Sequence, residues 1–120
     1  SSSEAMNAWT GLILWGELTG DKALRDLGIY LYVTEKDAIE HYWFDVHRQY
    51  PEAFGPGLAA MVWGAKAVYA TGFSGDPIHM HGINVLPLQS GSLYLGAHPD
   101  TIRRHLATLR RERIAFDAKD

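Results

Sequence analysis

The chain has 120 residues, 47% of them hydrophobic and 12% aromatic, with a formal net charge of -3. That composition excludes a disordered chain and has the length of one domain or a piece of one. With no cysteine there is neither a disulfide framework nor a thiolate metal site. The charge is uneven: residues 1–60 carry nine acids and four bases, residues 61–120 five acids and seven bases. Neither half demands a polyanionic partner. No basic stretch followed by an apolar one marks a signal peptide, and the uncharged runs carry Gly, Pro and polar residues, so no membrane span is expected.

The first predicted element is a helix over Ser3 to Leu18. Its apolar residues wrap most of the circumference, the pattern of a helix covered on several sides. Thr19-Gly20-Asp21 reads as a stop and a start, with Gly ending one helix and Asp capping the next. A second helix is expected from about Asp21 to Val46, kinked near Thr34. Together they predict an antiparallel helical hairpin over 3–46, whose broad apolar surfaces ask for more helices than the chain supplies.

From His47 to Pro87 the texture changes, with six glycines and four prolines. Met61-Val62-Trp63 and Ala67-Val68-Tyr69-Ala70 read as short strands. The stretch Gly72 to Pro87 reads as a long ordered loop, of the kind that is usually functional. Over 88–116 helix returns, with a short piece at Leu88 to Leu95 and a firm helix from Asp100 to Phe116 opened by Pro99.

Glu4 has two readings. Ser1-Ser2-Ser3-Glu4 is S-x-x-E, a capping box, and an acid in the first turn suits the helix dipole. On a helical wheel at about 100° per residue, Glu4 also lines up with Asn7, Ala8, Gly11, Trp15 and Leu18. This stripe has no other charge and is expected to face inward, and a carboxylate on such a face is a candidate for a perturbed pKa. In His79-Met80-His81-Gly82-Ile83-Asn84, an H-x-H pair lacks further ligands in sequence. Loop hydrogen bonding or substrate contact is expected there rather than metal. Trp15 and Trp43 are expected in the core, and Trp63, beside the Gly-rich region, is the candidate for stacking on a sugar ring. The Arg103, Arg104, Arg110, Arg111 and Arg113 run reads as a solvated helix face, since the aromatic interleaving of a single-strand nucleic-acid site is absent. No P-loop, Rossmann or G-x-S-x-G fingerprint is present.

Ser1, Ser3, Glu4, Ala5, Asn7 and Leu14-Trp15-Gly16 resemble the E-S-x-S-E-A-x-N…L-W-G signature of glycoside hydrolase family 81, the endo-β-1,3-glucanases. Met61-Val62-Trp63-Gly64, Thr71-Gly72-Phe73, and His81-Gly82-Ile83 to Leu86-Pro87 resemble its later motifs in order, over residues 1 to about 110. The resemblance implies a mainly α fold, part of an (α/α)6 barrel with a Gly/Pro-rich loop region. It also implies hydrolysis of laminarin-like β-1,3-glucan with inversion and no cofactor. Inversion needs two carboxyl groups, one protonating the leaving oxygen and one activating water. In the family an Asp of a His-rich motif is the acid and a Glu of E-S-x-S-E the base. Here the leading Glu and the upstream Asp motif are absent and only Glu4 remains. The expectation is therefore a partial catalytic domain, inactive alone, with Glu4 as active-site carboxylate. Asn7, Trp63, His81 and Asn84 are expected to contact glucan or water. The resemblance implies a secreted or cell-wall-associated full-length protein. The alternative is a non-catalytic helical carbohydrate-binding or interaction module, and a nucleic-acid role through the arginines is a third class.

Overall fold

The computed structural model describes residues 1–118. Helix α1 runs Ser2–Thr19 with Ser1 as N-cap and ends at Gly20, whose φ of 72° is the left-handed conformation that glycine takes at least cost. Asp21 caps α2 (Lys22–Ala38), its carboxylate accepting from the Leu24 N–H at 3.0 Å. The two helices pack closely because glycines stand where they cross. A Cβ on Gly16 would lie 2.5 Å from the Arg25 nitrogen, and one on Gly28 would lie 2.9 Å from the Ile13 nitrogen.

The second helix departs from expectation at its end. Thr34 stays helical, its hydroxyl back-bonding to the Tyr30 and Leu31 carbonyls at 2.9 and 3.1 Å. The irregularity comes later, in a π-helical turn over Ile39–Trp43. There the Phe44 N–H reaches back five residues to the Ile39 carbonyl, at 3.0 Å. The widened turn puts Ile39 and Phe44 in the core with Met6 and Tyr94, flanked by Trp9, Tyr32, Trp43 and Val85.

Strands β1 (Met61–Trp63) and β2 (Lys66–Val68) form a two-stranded antiparallel hairpin, pairing Met61 with Val68 and Trp63 with Lys66. The second strand starts earlier and ends sooner than expected. The Gly72–Pro87 stretch is not loop throughout. Pro77–Gly82 forms a short helix, α3, with Pro in its first turn and Asp76 accepting from the Ile78 N–H at 2.9 Å. The piece expected at Leu88 to Leu95 is a 3-10 segment, Ser90–Gly96, and α4 spans Pro99–Asp117. No helix among the described residues is long and apolar enough to cross a membrane.

Two expectations of burial are overturned. Glu4, Asn7, Ala8, Gly11, Trp15 and Leu18, the stripe expected to face inward, are all exposed, Trp15 by 62%. Helix α2 and the Ser90–Gly96 segment pack against other faces of α1, and nothing among the described residues covers this one. The molecule is correspondingly elongated, 54 × 28 × 26 Å.

Candidate active site

The start of the chain and the turn after α3 are stitched together across some eighty residues of sequence. The Asn84 amide is 0% exposed. Its oxygen accepts from the Ser2 N–H at 2.9 Å and the Ser2 hydroxyl at 3.0 Å. Its nitrogen donates to the carbonyls of Ala59 and Ala60 at 3.3 and 2.8 Å. Beside it the Ser3 hydroxyl sits 2.7 Å from the Leu86 carbonyl and 3.0 Å from that of Ile83. Each polar group in this seam has a partner, as burial requires.

The seam also explains why serines begin the helix. Ser2 and Ser3 are buried, and only small side chains with a hydroxyl both fit against the turn and pair with it. Asn84, expected as a glucan contact, is instead a clamp: both ends of its amide are spent inside the protein, and neither is offered to a ligand.

His81 is likewise 8% exposed and turned inward. Its Nε2 lies 3.0 Å from Glu112 Oε2, and the same oxygen accepts from the Tyr69 hydroxyl. The rings of Tyr69 and His81 meet edge to face with centroids 5.9 Å apart. Burial, and next the Glu112 carboxylate, push the Tyr69 hydroxyl far above its ordinary pKa, so it stays a donor. This trio joins the β-hairpin, α3 and α4, and so fixes the turn carrying Gly82 and Ile83. As placed here, His81 supports the wall of a groove rather than lining it.

The arginines divide. Arg103 is exposed. Arg104 donates to the Asp45 carbonyl at 2.9 Å, and Arg113 pairs with Asp76, the cap of α3. The solvated face is therefore only part of that helix, because two of its arginines brace neighbouring segments.

Outside the seam lies an open groove of 660 Å³ lined by Ser1, Glu4, Phe73, Ile78, His79, Gly82, Ile83 and Leu86. Glu4 stands at its rim, its side chain 76% exposed. The Ser1 hydroxyl donates to its Oε2 at 2.8 Å and the Ser1 amino group at 3.3 Å. These two bonds, the hydroxyl's first, hold the carboxyl below the usual carboxylate range. Glu4 therefore both folds back on the helix cap and faces a groove. On the far wall the Phe73 and His79 rings pack with centroids 5.7 Å apart, and His79 Nδ1 lies 2.7 Å from the Ser74 hydroxyl. Asn7 is exposed one turn along α1 from Glu4. Among the described residues no three His, Asp or Glu side chains gather as a metal site.

A second groove, of 200 Å³, lies on the other side of the same seam, and Ser1 and Ile83 border both. Trp43 and Trp63 line it, with Glu35 from α2. Trp63 is 64% exposed, at the end of β1. Trp43, expected in the core, has one side on the core cluster and one on this groove.

The model of the glycosyl hydrolase family 81 C-terminal domain matches residues 1–110. The chain belongs to this family. It is 48% identical over 113 residues to a glucan endo-1,3-beta-D-glucosidase of Acetivibrio thermocellus, an alignment covering 93% of this chain and 15% of that protein. It is 40% identical over 101 residues to a glucan endo-1,3-beta-D-glucosidase of Thermobifida fusca, covering 83% of this chain and 13% of the relative. The chain thus corresponds to about a seventh of each relative's length. Within this family 81 chain, the two segments that carry the resemblance, Ser1–Asn7 and His81–Pro87, are the two sides of the hydrogen-bonded seam. Glu35 and Glu112 were not expected at the site from sequence, and Phe73 figured only as part of a motif. Glu112 had a signal, as the only acid within the arginine run. Glu35 had one too: it follows Leu31 and precedes Ile39 at intervals of four, in line with apolar side chains.

Proposed function

We propose that this chain forms one wall of the substrate cleft of an endo-β-1,3-glucanase that hydrolyses laminarin-like glucan with inversion. The observation that carries the reading is Glu4, held at the rim of a groove by the seam between the two motif segments. Family membership and the names of the relatives supply the substrate class. In this reading the Trp15–Leu18 end of the α1 stripe is covered by further helices of an (α/α)6 toroid, and the Glu4–Asn7 end faces the cleft.

In this reading Glu4 acts on the attacking water. A carboxyl kept low by the Ser1 hydroxyl is ionised at neutral pH. It cannot protonate a leaving oxygen, but it can accept a proton from water or hold that water in line. The acid must then stand across the scissile bond, roughly 6.5–9.5 Å away to leave room for water. No second carboxylate lines the Glu4 groove among the described residues, so the partner is assigned to the upstream Asp motif of the family. Asn7 orients water or a sugar hydroxyl one turn along, Trp63 provides the apolar platform, and His81 and Asn84 position the wall. On this basis the 120 residues alone do not turn over laminarin.

The test is Glu4→Gln in the full natural polypeptide, followed by reducing-end release from laminarin. A loss of about 10²–10⁴ in kcat is expected, with the wild type releasing the α-anomer first by NMR. A variant that retains wild-type kcat removes Glu4 from the chemistry. A first-formed β-anomer removes inversion. Laminarin turnover by the 120 residues alone would show that the chain needs no outside acid.

A further inference from the structure

The second groove is unexplained by the chemistry at Glu4. It is small, of the order of one pyranose ring, and its composition is unusual for a packing defect. Trp43, Trp63, Met61, Val62 and one acid, Glu35, are among the residues that line it. The carboxylate, Glu35, is half-buried and has no hydrogen bond or ion pair among the described residues. The charged residues that follow it behave differently: Lys36 pairs with Asp37 at 2.8 Å and with Glu40 at 3.1 Å, and His98 also reaches Glu40, at 3.2 Å. Desolvation pushes the Glu35 carboxyl above its ordinary pKa. A desolvated carboxylate without donors is costly, and a group that arrives with hydroxyls relieves that cost.

We propose that this groove is a glucosyl subsite, in which Glu35 accepts hydrogen bonds from sugar hydroxyls while Trp63 covers the apolar face of the ring. The inference rests on the glucanase reading above and extends it. Because Ser1 and Ile83 border both grooves, a glucan chain laid over the seam meets Glu4 on one side and Glu35 on the other. Glu35 touches a sugar next to the one at the reacting bond, so its contribution is to binding rather than to bond cleavage.

The experiment compares Glu35→Ala, Glu35→Gln and Trp63→Ala in the full natural polypeptide, with laminarihexaose as substrate and far-UV circular dichroism as a check on folding. Glu35→Ala is expected to raise KM by tenfold or more, the loss of a charge-assisted hydrogen bond, and to leave kcat within about threefold. Trp63→Ala raises KM comparably, and the double variant loses less than the product of the two, because both side chains hold one sugar. If Glu35→Ala does not fold, the isosteric Glu35→Gln decides by the same KM comparison. Wild-type KM in a folded, active Glu35 variant overturns the subsite and leaves the glucanase reading standing. A loss confined to kcat also overturns it, by moving Glu35 into the chemistry. A wild type that neither binds nor cleaves laminarihexaose defeats the glucanase reading, and the subsite with it.

Discussion

The seam between Ser1–Ser3 and the Ile83–Pro87 turn and the outer stripe of α1 lie on the same helix and are built on opposite principles. In the seam, small polar side chains are buried and fully paired, with Asn84 serving four partners at once. Along the stripe, large apolar side chains such as Trp15 and Leu18 stand in the open. The difference teaches that hydrophobicity does not locate the ordered part of this chain. The precise contact is made by hydroxyls and amides, which carry direction, whereas the apolar face is unpartnered within the chain.

The largest stability effect that tests this contrast comes from Asn84→Asp. One carboxylate oxygen can still accept from Ser2, but the other faces the carbonyls of Ala59 and Ala60, where a donor is needed. The change buries an uncompensated charge and removes two donations, at a cost of about 3 kcal/mol. Urea denaturation of the chain should show the midpoint falling accordingly. Ser2→Ala, which leaves the Ser2 N–H in place, should cost about 1 kcal/mol. Equal and small losses for both would mean that the seam is not what orders the start of α1.

Much of this was legible beforehand, and the omissions have physical causes. The limits of α1, the turn at Gly20-Asp21 and the two short strands follow from local signals: a cap, a left-handed glycine and short apolar runs. The π-turn at Ile39–Trp43 does not, because it is imposed by seating Ile39 and Phe44 in one core. Helix α3 was hidden by its six residues and by the glycines on either side. At the site, the family resemblance linked the segments of Glu4 and of Gly82–Ile83, and the structure has them lining one groove. The same resemblance said nothing about direction. Asn84 and His81 belong to the same motif as Gly82, yet both point into the protein, and only burial and partners distinguish a clamp from a contact. Trp15 was misplaced because helical periodicity reports which residues share a face, not whether anything lies against it.

A comparable effect comes from the core behind the seam. His105 on α4 is buried with its ring edge-on to Phe44, centroids 5.6 Å apart. Desolvation, followed by the nearby Arg104 charge, lowers its pKa from 6.5 to about 4. Between those values the unfolded chain binds the proton and the folded chain does not, so stability falls as pH falls. The contribution is complete above about pH 6.5 and lost by about pH 4, amounting to at most about 3 kcal/mol. Urea midpoints measured from pH 7 to pH 4 should decline, and His105→Phe should flatten that decline. An undiminished slope in the variant would assign the acid sensitivity to the carboxylates instead.

The smallest effect sharpens the comparison most. Trp15→Ser removes a large side chain from a face that nothing among the described residues covers, so the chain's stability should change by no more than about 0.5 kcal/mol. The same substitution in the full natural polypeptide carries a different expectation if the stripe is the seat of neighbouring toroid helices. There the indole would be buried, and its loss should cost about 3 kcal/mol through lost transfer and a cavity. Thermal unfolding of both proteins, with and without the substitution, separates the cases. A cost that appears only in the full polypeptide identifies the stripe as internal packing surface and leaves the grooves beside the seam as the part of this chain that meets substrate. An equally small change in both would leave Trp15 open to solvent throughout. An exposed indole in line with Glu4 and Asn7 would then extend the sugar-binding surface along α1, and Trp15→Ser should raise KM for laminarin instead of lowering the melting temperature.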